Sequence, residues 1–327
     1  MMLYDWLALA MLGALALYAC TGGADFGGGV WDLLATGPRA AEQRALIEKV
    51  IAPVWEANHV WLILLVVMLF VGFPAGFAAG ATALHVPLTL MLVGIVARGS
   101  AFVFRAYGAP GRVRARWGRV FAIASVVTPI FLGLSLGAIT AGEVRVAGGI
   151  VVSGYFAWVD WFPLAVGLML LCTFAYLAAV YLCIEAETPA LQNDFRRRAL
   201  AAGITLGATV WTIQLTAGPG TAHFAERLFG SPWSLPLQLG TAAAALLALA
   251  SLLTRRYRLA RVMAVAQVWL MIGGFGLAQR PYLIFPDVTL GAAAAPEATL
   301  RFLLGALAAG ALVLFPSLWY LMRVFRR

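Results

Sequence analysis

Charged residues are scarce in this sequence. Of its 327 residues, 11% are charged and 63% are hydrophobic, whereas soluble domains carry about 25% charged residues. No segment between the hydrophobic runs is long enough to bury a core of its own. The composition therefore excludes a soluble globular protein. It predicts an all-α, polytopic integral membrane protein that forms a single transmembrane helical domain over residues 1–327.

Histidine is also scarce, with three residues in the whole chain. A haem that is held by two histidines needs both of them at compatible depths and facing each other. His59 is predicted near one membrane surface, and His85 and His223 near the other. The sequence therefore argues against several haems in this chain, and we expect it to hold no cofactor and no metal ion of its own.

The sequence lacks the motifs of several other chemistries. Nucleophile elbows and phosphate-binding glycine loops are absent. The three cysteines lie in apolar runs without the spacing of a metal site and are interpreted as small core residues: Cys20, Cys172 and Cys183. Residues 17–20 loosely resemble a lipoprotein cleavage site, but the first charge is Asp5. Since a signal peptide begins with positive charge, we expect a retained first helix.

Hydrophobic runs of about 20 residues, the length that crosses a bilayer, predict nine transmembrane helices. Their approximate bounds are 4–34, 53–77, 81–104, 120–140, 161–184, 199–217, 237–254, 262–279 and 300–322. The loops between them alternate between arginine-rich and arginine-poor. Because basic loops stay in the cytoplasm, the N-terminus is predicted outside and the C-terminus in the cytoplasm. The same rule explains the net charge of +9, which therefore does not indicate nucleic-acid binding.

Several polar residues interrupt the first three predicted helices near their cytoplasmic ends. They are Asp25, Asp32, Glu56, Asn58, His59 and Arg98. Charges at this depth cost on the order of a few kcal/mol each unless they are paired or hydrated, and they therefore indicate function. A carboxylate beside an imidazole suits proton uptake. Alternatively, Arg98 pairs with Asp25 or Glu56 only to hold the helices together. Both interpretations stay open, while Asp32 is assigned to the membrane interface.

Two motifs in this region resemble subunit II of the cytochrome bd quinol oxidase family. They are GADFGGG at 23–29 and APVWEANHVWLI at 52–63. RGSAFVFR at 98–105 and PDVTL at 286–290 are similar to further segments of that family, so the resemblance follows the chain in order. The short length of the chain and the particular residues in these motifs resemble the cyanide-insensitive branch of the family.

The resemblance implies a subunit of a quinol:oxygen oxidoreductase of the aerobic respiratory chain, located in the bacterial inner membrane. The partner, subunit I, would carry haems b and d and the quinol site, and a small accessory membrane subunit is a further candidate partner. This chain would catalyse nothing alone. It would support subunit I and line a cytoplasmic proton route, with Asp25 and Glu56 as an acidic pair and Arg98 as their charge partner. Asn58 and His59 are further candidates for that route.

Two positions depart from the family pattern. Gly22 stands where the family often has a further aspartate, and His59 stands where it often has glutamine. The main alternative function is a proton-coupled transporter, although transporters tend to have inverted repeats and helices broken near the midplane. A purely structural scaffold is the other alternative. It predicts that Asp25 and Glu56 can be neutralised without loss of function.

Overall fold

The computed structural model describes residues 2–51, 55–107, 111–216 and 218–325, which are almost entirely helical. The helices are α1 (Leu3–Cys20), α2 (Gly22–Leu33), α3 (Ala40–Ile51), α4 (Trp55–Gly72), α5 (Pro74–Ala83), α6 (His85–Tyr107), α7 (Arg112–Ala138), α8 (Trp161–Glu185), α9 (Pro189–Thr216), α10 (Ala222–Gly230), α11 (Ser234–Leu253), α12 (Tyr257–Gln279), α13 (Leu290–Ala293) and α14 (Glu297–Phe325). A short 3-10 helix, Pro219–Thr221, precedes α10. Two antiparallel pairs of strands join β1 (Val146–Ala147) to β2 (Ile150–Val151) and β3 (Tyr282–Ile284) to β4 (Val288–Thr289).

Among the described residues, seven helical segments are long and apolar enough to cross a membrane, with α1 and α2 counted together. The number rises to nine if each of two bent helix pairs crosses once. These pairs are α4 with α5, bent by 117°, and α9 with α10, bent by 104°. The predicted all-α membrane fold is therefore confirmed, and the nine predicted helices correspond in order to the seven segments and the two bent pairs.

The second predicted helix, 53–77, is not continuous in the structure. α4 ends at Gly72, Phe73 leaves the helical conformation (φ −136°, ψ 59°), and Pro74 begins α5. Proline has no backbone N–H to donate and disfavours helical backbone in the residue before it, whereas it fits the first turn of a helix. Pro74 therefore explains the position of the bend.

The segment predicted as a loop, 35–52, contains the amphipathic helix α3. Its buried side chains recur at helical spacing: Gln43, Leu46, Ile47 and Ile51. Two ion pairs fix α3 to the rest of the chain, Arg39 with Asp194 at 2.7 Å and Lys49 with Glu187 at 2.6 Å. α3 thus covers the end of α2 and α8 at one surface of the bundle.

The helix α2 lies at the centre of the bundle because its glycines let neighbouring helices approach closely. A Cβ atom at Gly27 would overlap the backbone carbonyl of Phe174 in α8, and one at Gly29 would overlap the side chain of Ser125 in α7. The ring of Phe26, which is 1% exposed, stacks on that of Phe174 with 6.2 Å between the centroids. This close packing places the neighbouring Asp25 deep inside the protein.

The end of the bundle where α7 stops and α8 starts is closed by the two pairs of strands. Arg145 donates from Nε to Oδ2 of Asp287 at 2.8 Å, and the backbone N–H of Val146 donates to the same oxygen at 2.8 Å. The hydrogen bond from Arg145 holds the pKa of the Asp287 carboxyl below its usual range. A stacked pair of rings, His223 on Phe285 at 5.0 Å, adds to this cap.

Candidate functional site

Asp25 and Asn58 form the centre of the candidate site. Asp25 lies in the first turn of α2 and is 5% exposed. Asn58, near the start of α4, donates from Nδ2 to Oδ2 of Asp25 at 2.6 Å. A buried carboxylate needs such donors, because removing an ion from water is costly unless hydrogen bonds replace the lost hydration. One oxygen of Asp25 is therefore held by a fixed amide.

Arg98 lies beside this pair on α6 and is 1% exposed. Its Nε donates to Oγ of Ser125 at 3.2 Å, and its guanidinium carbon lies 4.7 Å from the ring centroid of Phe26 and 5.1 Å from that of Phe121. Arg98 is thus held by one hydroxyl group and two aromatic rings. Among the described side chains, however, no carboxylate lies within 4.0 Å of Arg98. A direct ion pair of Arg98 with Asp25, one of the two predicted possibilities, is therefore not formed.

His59 follows Asn58 on α4 and packs between two rings. Its ring centroid lies 6.1 Å from that of Tyr18 and 6.0 Å from that of Phe26. Within the described part of the chain, three buried polar atoms around Phe26 have no hydrogen-bond partner: Nδ1 of His59, the Tyr18 hydroxyl oxygen and Nη2 of Arg98. Buried polar atoms are normally hydrogen-bonded to protein or to ordered water. The arrangement thus groups His59 and Arg98 around one aromatic ring, next to Asp25.

Glu56 belongs to α4, two residues before Asn58. Its side chain lies outside the described residues, as do the residues 52–54 of the same motif. The position of its carboxylate relative to Asp25 stays a prediction.

A cavity of about 440 Å³ reaches this site from the surface of the protein. Its polar lining includes the buried Asp25 with Asn58, and also Glu185 at the end of α8, whose side chain is exposed. Arg261 of α12 lines it as well. The volume is large enough for several water molecules, each of which needs about 30 Å³. From the sequence, Glu185 is interpreted as part of a solvated helix end at the inner surface. Its link to Asp25 depends on how α8 packs against α2.

Asp32, which the sequence assigned to the membrane interface, is buried within the protein in an ion pair. Its Oδ1 lies 3.0 Å from Nη1 of Arg105, and the two side chains are 5% and 10% exposed. Glu48 of α3 lies 3.5 Å from Arg105 and 3.2 Å from Arg114. This second charged cluster joins α2, α3, α6 and α7 separately from Asp25.

The described residues contain no group of three or more His, Cys, Asp or Glu side chains that could hold a metal ion. The ring nitrogens of His85 contact the carbonyl of Thr82 at 2.8 Å and the hydroxyl of Tyr155 at 2.7 Å. His59 lies among aromatic rings on α4, and His223 stacks on Phe285 in the cap. These surroundings differ, and they do not bring two of the histidines together as an axial pair.

Comparison with known proteins connects this architecture to respiratory oxidases. Residues 3–325 match the family described as cytochrome bd terminal oxidase subunit II. The chain is 24% identical over 330 residues to the putative cytochrome bd menaquinol oxidase subunit II of Bacillus subtilis, covering 96% of this chain and 93% of that protein. It is 32% identical over 137 residues to the cytochrome bd-I ubiquinol oxidase subunit 2 of Escherichia coli, covering 42% of this chain and 35% of that protein.

The fold agrees with this relationship. The structure of the bd oxidase from Geobacillus thermodenitrificans contains a chain that superimposes with a TM-score of 0.77 at 21% identity, covering 99% of both chains. The resemblance that the motifs indicated is thereby confirmed. The chain therefore belongs to the cytochrome bd terminal oxidase subunit II family, as a multi-pass inner-membrane subunit of a bacterial quinol oxidase complex of the aerobic respiratory chain.

Proposed function

We propose that this chain carries protons from the cytoplasm through Asp25 towards the oxygen-reducing site of its partner, subunit I. The observation that supports this most is the cavity between the buried Asp25 and the exposed Glu185. Reduction of oxygen to water consumes protons. A buried carboxylate that is reached by water from one surface can take up a proton and release it on its other side.

The groups around Asp25 suit a relay in both protonation states. Asn58 donates to one carboxylate oxygen and leaves the other available for a proton. Arg98 lies beside Asp25 without a direct ion pair. An arginine in direct contact would hold the carboxylate ionised, whereas a more distant guanidinium makes the charge tolerable and still permits protonation.

We further propose that protons enter at Glu185 and that this end of the bundle faces the cytoplasm. Glu185 ends α8 and precedes a loop in which Glu187 pairs with Lys49 of α3. The arginine-rich segments at the start of α7, in α9 and before α12 are predicted on the same side. Glu56 at the start of α4, also predicted near the cytoplasmic side, would be a further entrance group that relays protons to Asp25, and His59 a further member of the route.

The haems b and d and the quinol site are assigned to subunit I under this proposal. Three histidines in different surroundings support this assignment, because two histidines of one haem must face each other. A small accessory membrane subunit and membrane lipid would complete the complex. In that arrangement this chain contributes protons and structural support, and electrons pass from quinol to oxygen in its partner.

The proposal is tested by neutralising two carboxylates in the assembled oxidase. Asp25→Asn and Glu185→Gln remove a group that gains and loses protons and keep its shape. We expect quinol oxidation per haem to fall by about tenfold or more for Asp25→Asn, since positioned proton-transfer groups contribute roughly 10²–10⁴-fold. We expect a smaller fall for Glu185→Gln, because water can partly replace a residue at the entrance.

Glu42→Gln is the control, since Glu42 is an exposed carboxylate of α3 that does not line the cavity. We expect it to retain wild-type turnover. Normal turnover per haem in Asp25→Asn would contradict the proton role. Loss of assembly without any change in turnover per assembled complex would instead support the scaffold function.

A further inference from the structure

A second cavity, of about 600 Å³, lies where α2, α6 and α7 meet the N-terminal half of α3. Its charged lining consists of Arg44, Arg105, Arg114, Arg119 and Asp32. Leu33 and Ala122 form part of an apolar wall beside these charges. The proposed proton route does not use this cavity, because neither Asp25 nor Glu185 lines it.

The arginines of this cavity are only partly neutralised by carboxylates. Asp32 pairs with Arg105 at 3.0 Å, and Glu48 pairs with Arg114 at 3.2 Å. The other two arginines have no carboxylate partner within the described ranges. Arg44 donates one hydrogen bond to a backbone carbonyl. Four arginines against two carboxylates leave an excess of two positive charges around the cavity.

The sequence predicts that the cavity lies at the depth of lipid headgroups. Arg119 is seven residues into α7, which corresponds to a rise of about 10 Å from the first residue of that helix. Helix α7 is long and apolar enough to cross a membrane, and the hydrophobic run that predicts the crossing begins at residue 120, directly after Arg119. Beyond Arg119 along α7, Val120 and Ile123 are exposed and place apolar surface on the side of the bilayer core. The cavity therefore presents cationic groups at the membrane surface and apolar groups next to them.

We propose that this cavity binds the phosphate headgroup of an anionic phospholipid from the surrounding bilayer. Arg119, together with the N–H groups of Arg44 that do not bind the carbonyl of Ala35, supplies guanidinium donors, whose planar geometry matches two phosphate oxygens at once. The pairs Asp32–Arg105 and Glu48–Arg114 fix the walls, so that binding does not need to order them. Basic pockets between membrane helices attract anionic headgroups in this way, and the acyl chains would follow the exposed Val120 and Ile123 of α7.

The binding is measured on the intact oxidase complex in detergent by native mass spectrometry, with phosphatidylglycerol titrated against phosphatidylcholine. We expect wild-type complex to retain one phosphatidylglycerol in preference to phosphatidylcholine. Arg119→Gln should weaken this retention by about tenfold, because a charge-assisted hydrogen bond and an excess charge are lost. Arg119→Lys should lie between the two, since it keeps the charge but not the paired donors.

Arg116→Gln is the matched control, because Arg116 is exposed on the same helix but does not line the cavity. It should retain wild-type affinity, which separates a local site from general attraction by a basic helix. Equal retention in Arg119→Gln and wild type would overturn the proposal, as would equal affinity for both lipids. Displacement of the lipid by millimolar inorganic phosphate would show a site for small anions and would overturn the assignment to a lipid. Failure of the wild-type complex to bind phosphatidylglycerol would overturn it too.

Discussion

Asn58 donates a hydrogen bond of 2.6 Å to Asp25, although the two residues are 33 positions apart and lie on different helices. The bond joins α4 to α2 at the point where the carboxylate is buried. It also distinguishes the two oxygens of Asp25, since one accepts from the amide and the other does not. The amide is therefore a positioning group for the carboxylate, in addition to any contribution it makes to stability.

We predict that Asn58→Ala destabilises the assembled complex and slows quinol oxidation. The substitution leaves a buried carboxylate without its amide donor, and hydrogen bonds to charged groups contribute about 1.5–3 kcal/mol. Thermal unfolding and turnover per haem measure the two effects. Asn193→Ala is the control, because Asn193 lies on α9 away from the candidate site. Wild-type stability and turnover in Asn58→Ala would show that the hydrogen bond to Asp25 contributes neither to stability nor to quinol oxidation.

Much of the fold was predictable because hydrophobic run length and the positions of basic residues are local properties of the sequence. The bend after α4 also has a local cause, which is the proline at position 74. Hydrophobic run length does not predict this bend, because the run stays apolar on both sides of the proline. Hydrophobic run length does not predict helix α3, because its apolar residues recur at helical spacing between charged residues and form no continuous run. The general lesson is that surface helices of membrane proteins require a separate search for amphipathic periodicity.

The candidate site was only partly predictable, since its contacts depend on which helices are neighbours. The motif residues Asp25 and Asn58 come together in the structure. By contrast, Arg98 donates to Ser125, which is 27 positions away and carries no motif signal. Asp32 pairs with Arg105, 73 positions away, and is buried by that contact. Contacts of this kind follow from tertiary packing and cannot be derived from the spacing of residues on one helix.

We predict that Gly27→Ala strongly destabilises the chain. The new Cβ atom would overlap the backbone carbonyl of Phe174, and a backbone atom cannot move aside as a flexible side chain can. Overpacking of this kind costs about 1–3 kcal/mol or more. Gly13→Ala is the control, because a Cβ atom at Gly13 meets no atom within 4 Å. That control should be neutral or slightly stabilising, since alanine favours a helix more than glycine does. Equal unfolding temperatures for the two variants would contradict the proposed packing of α2 on α8.

We predict that Asp32→Asn lowers stability by about 3 kcal/mol, the lower end of the range for breaking a buried ion pair. The side chain of Arg105 is 10% exposed and keeps its charge in the variant. Glu48, at 3.5 Å, neutralises that charge only in part. Chemical or thermal unfolding of the purified complex measures the loss. The double variant Asp32→Leu with Arg105→Met should recover much of it, because both buried charges are then absent. A double variant that is less stable than Asp32→Asn would contradict this expectation. It would show that the ion pair stabilises the fold by more than the mutual neutralisation of its two buried charges.

The ion pair between Arg145 and Asp287 links the two pairs of strands outside the membrane helices. The hydrogen bond from Arg145 lowers the pKa of Asp287 in the folded chain. In the unfolded chain the carboxyl titrates near its usual value of about 3.9. The stabilisation is therefore fully present above that pH, and it is lost as the pH falls towards the lower pKa of the folded state.

Asp287→Asn should consequently unfold at a lower temperature than wild type between about pH 5 and pH 7, by an amount that does not change with pH in that range. Below about pH 4 the difference should shrink, because wild type then loses the same interaction by protonation. Glu297→Gln is the control, since Glu297 forms an exposed pair with Arg301 within α14 and does not join separate segments. Unfolding temperatures of wild type and both variants, measured from pH 3 to pH 7, decide the point. A difference for Asp287→Asn that stays constant down to pH 3 would show that its effect comes from the shape of the side chain and not from its charge.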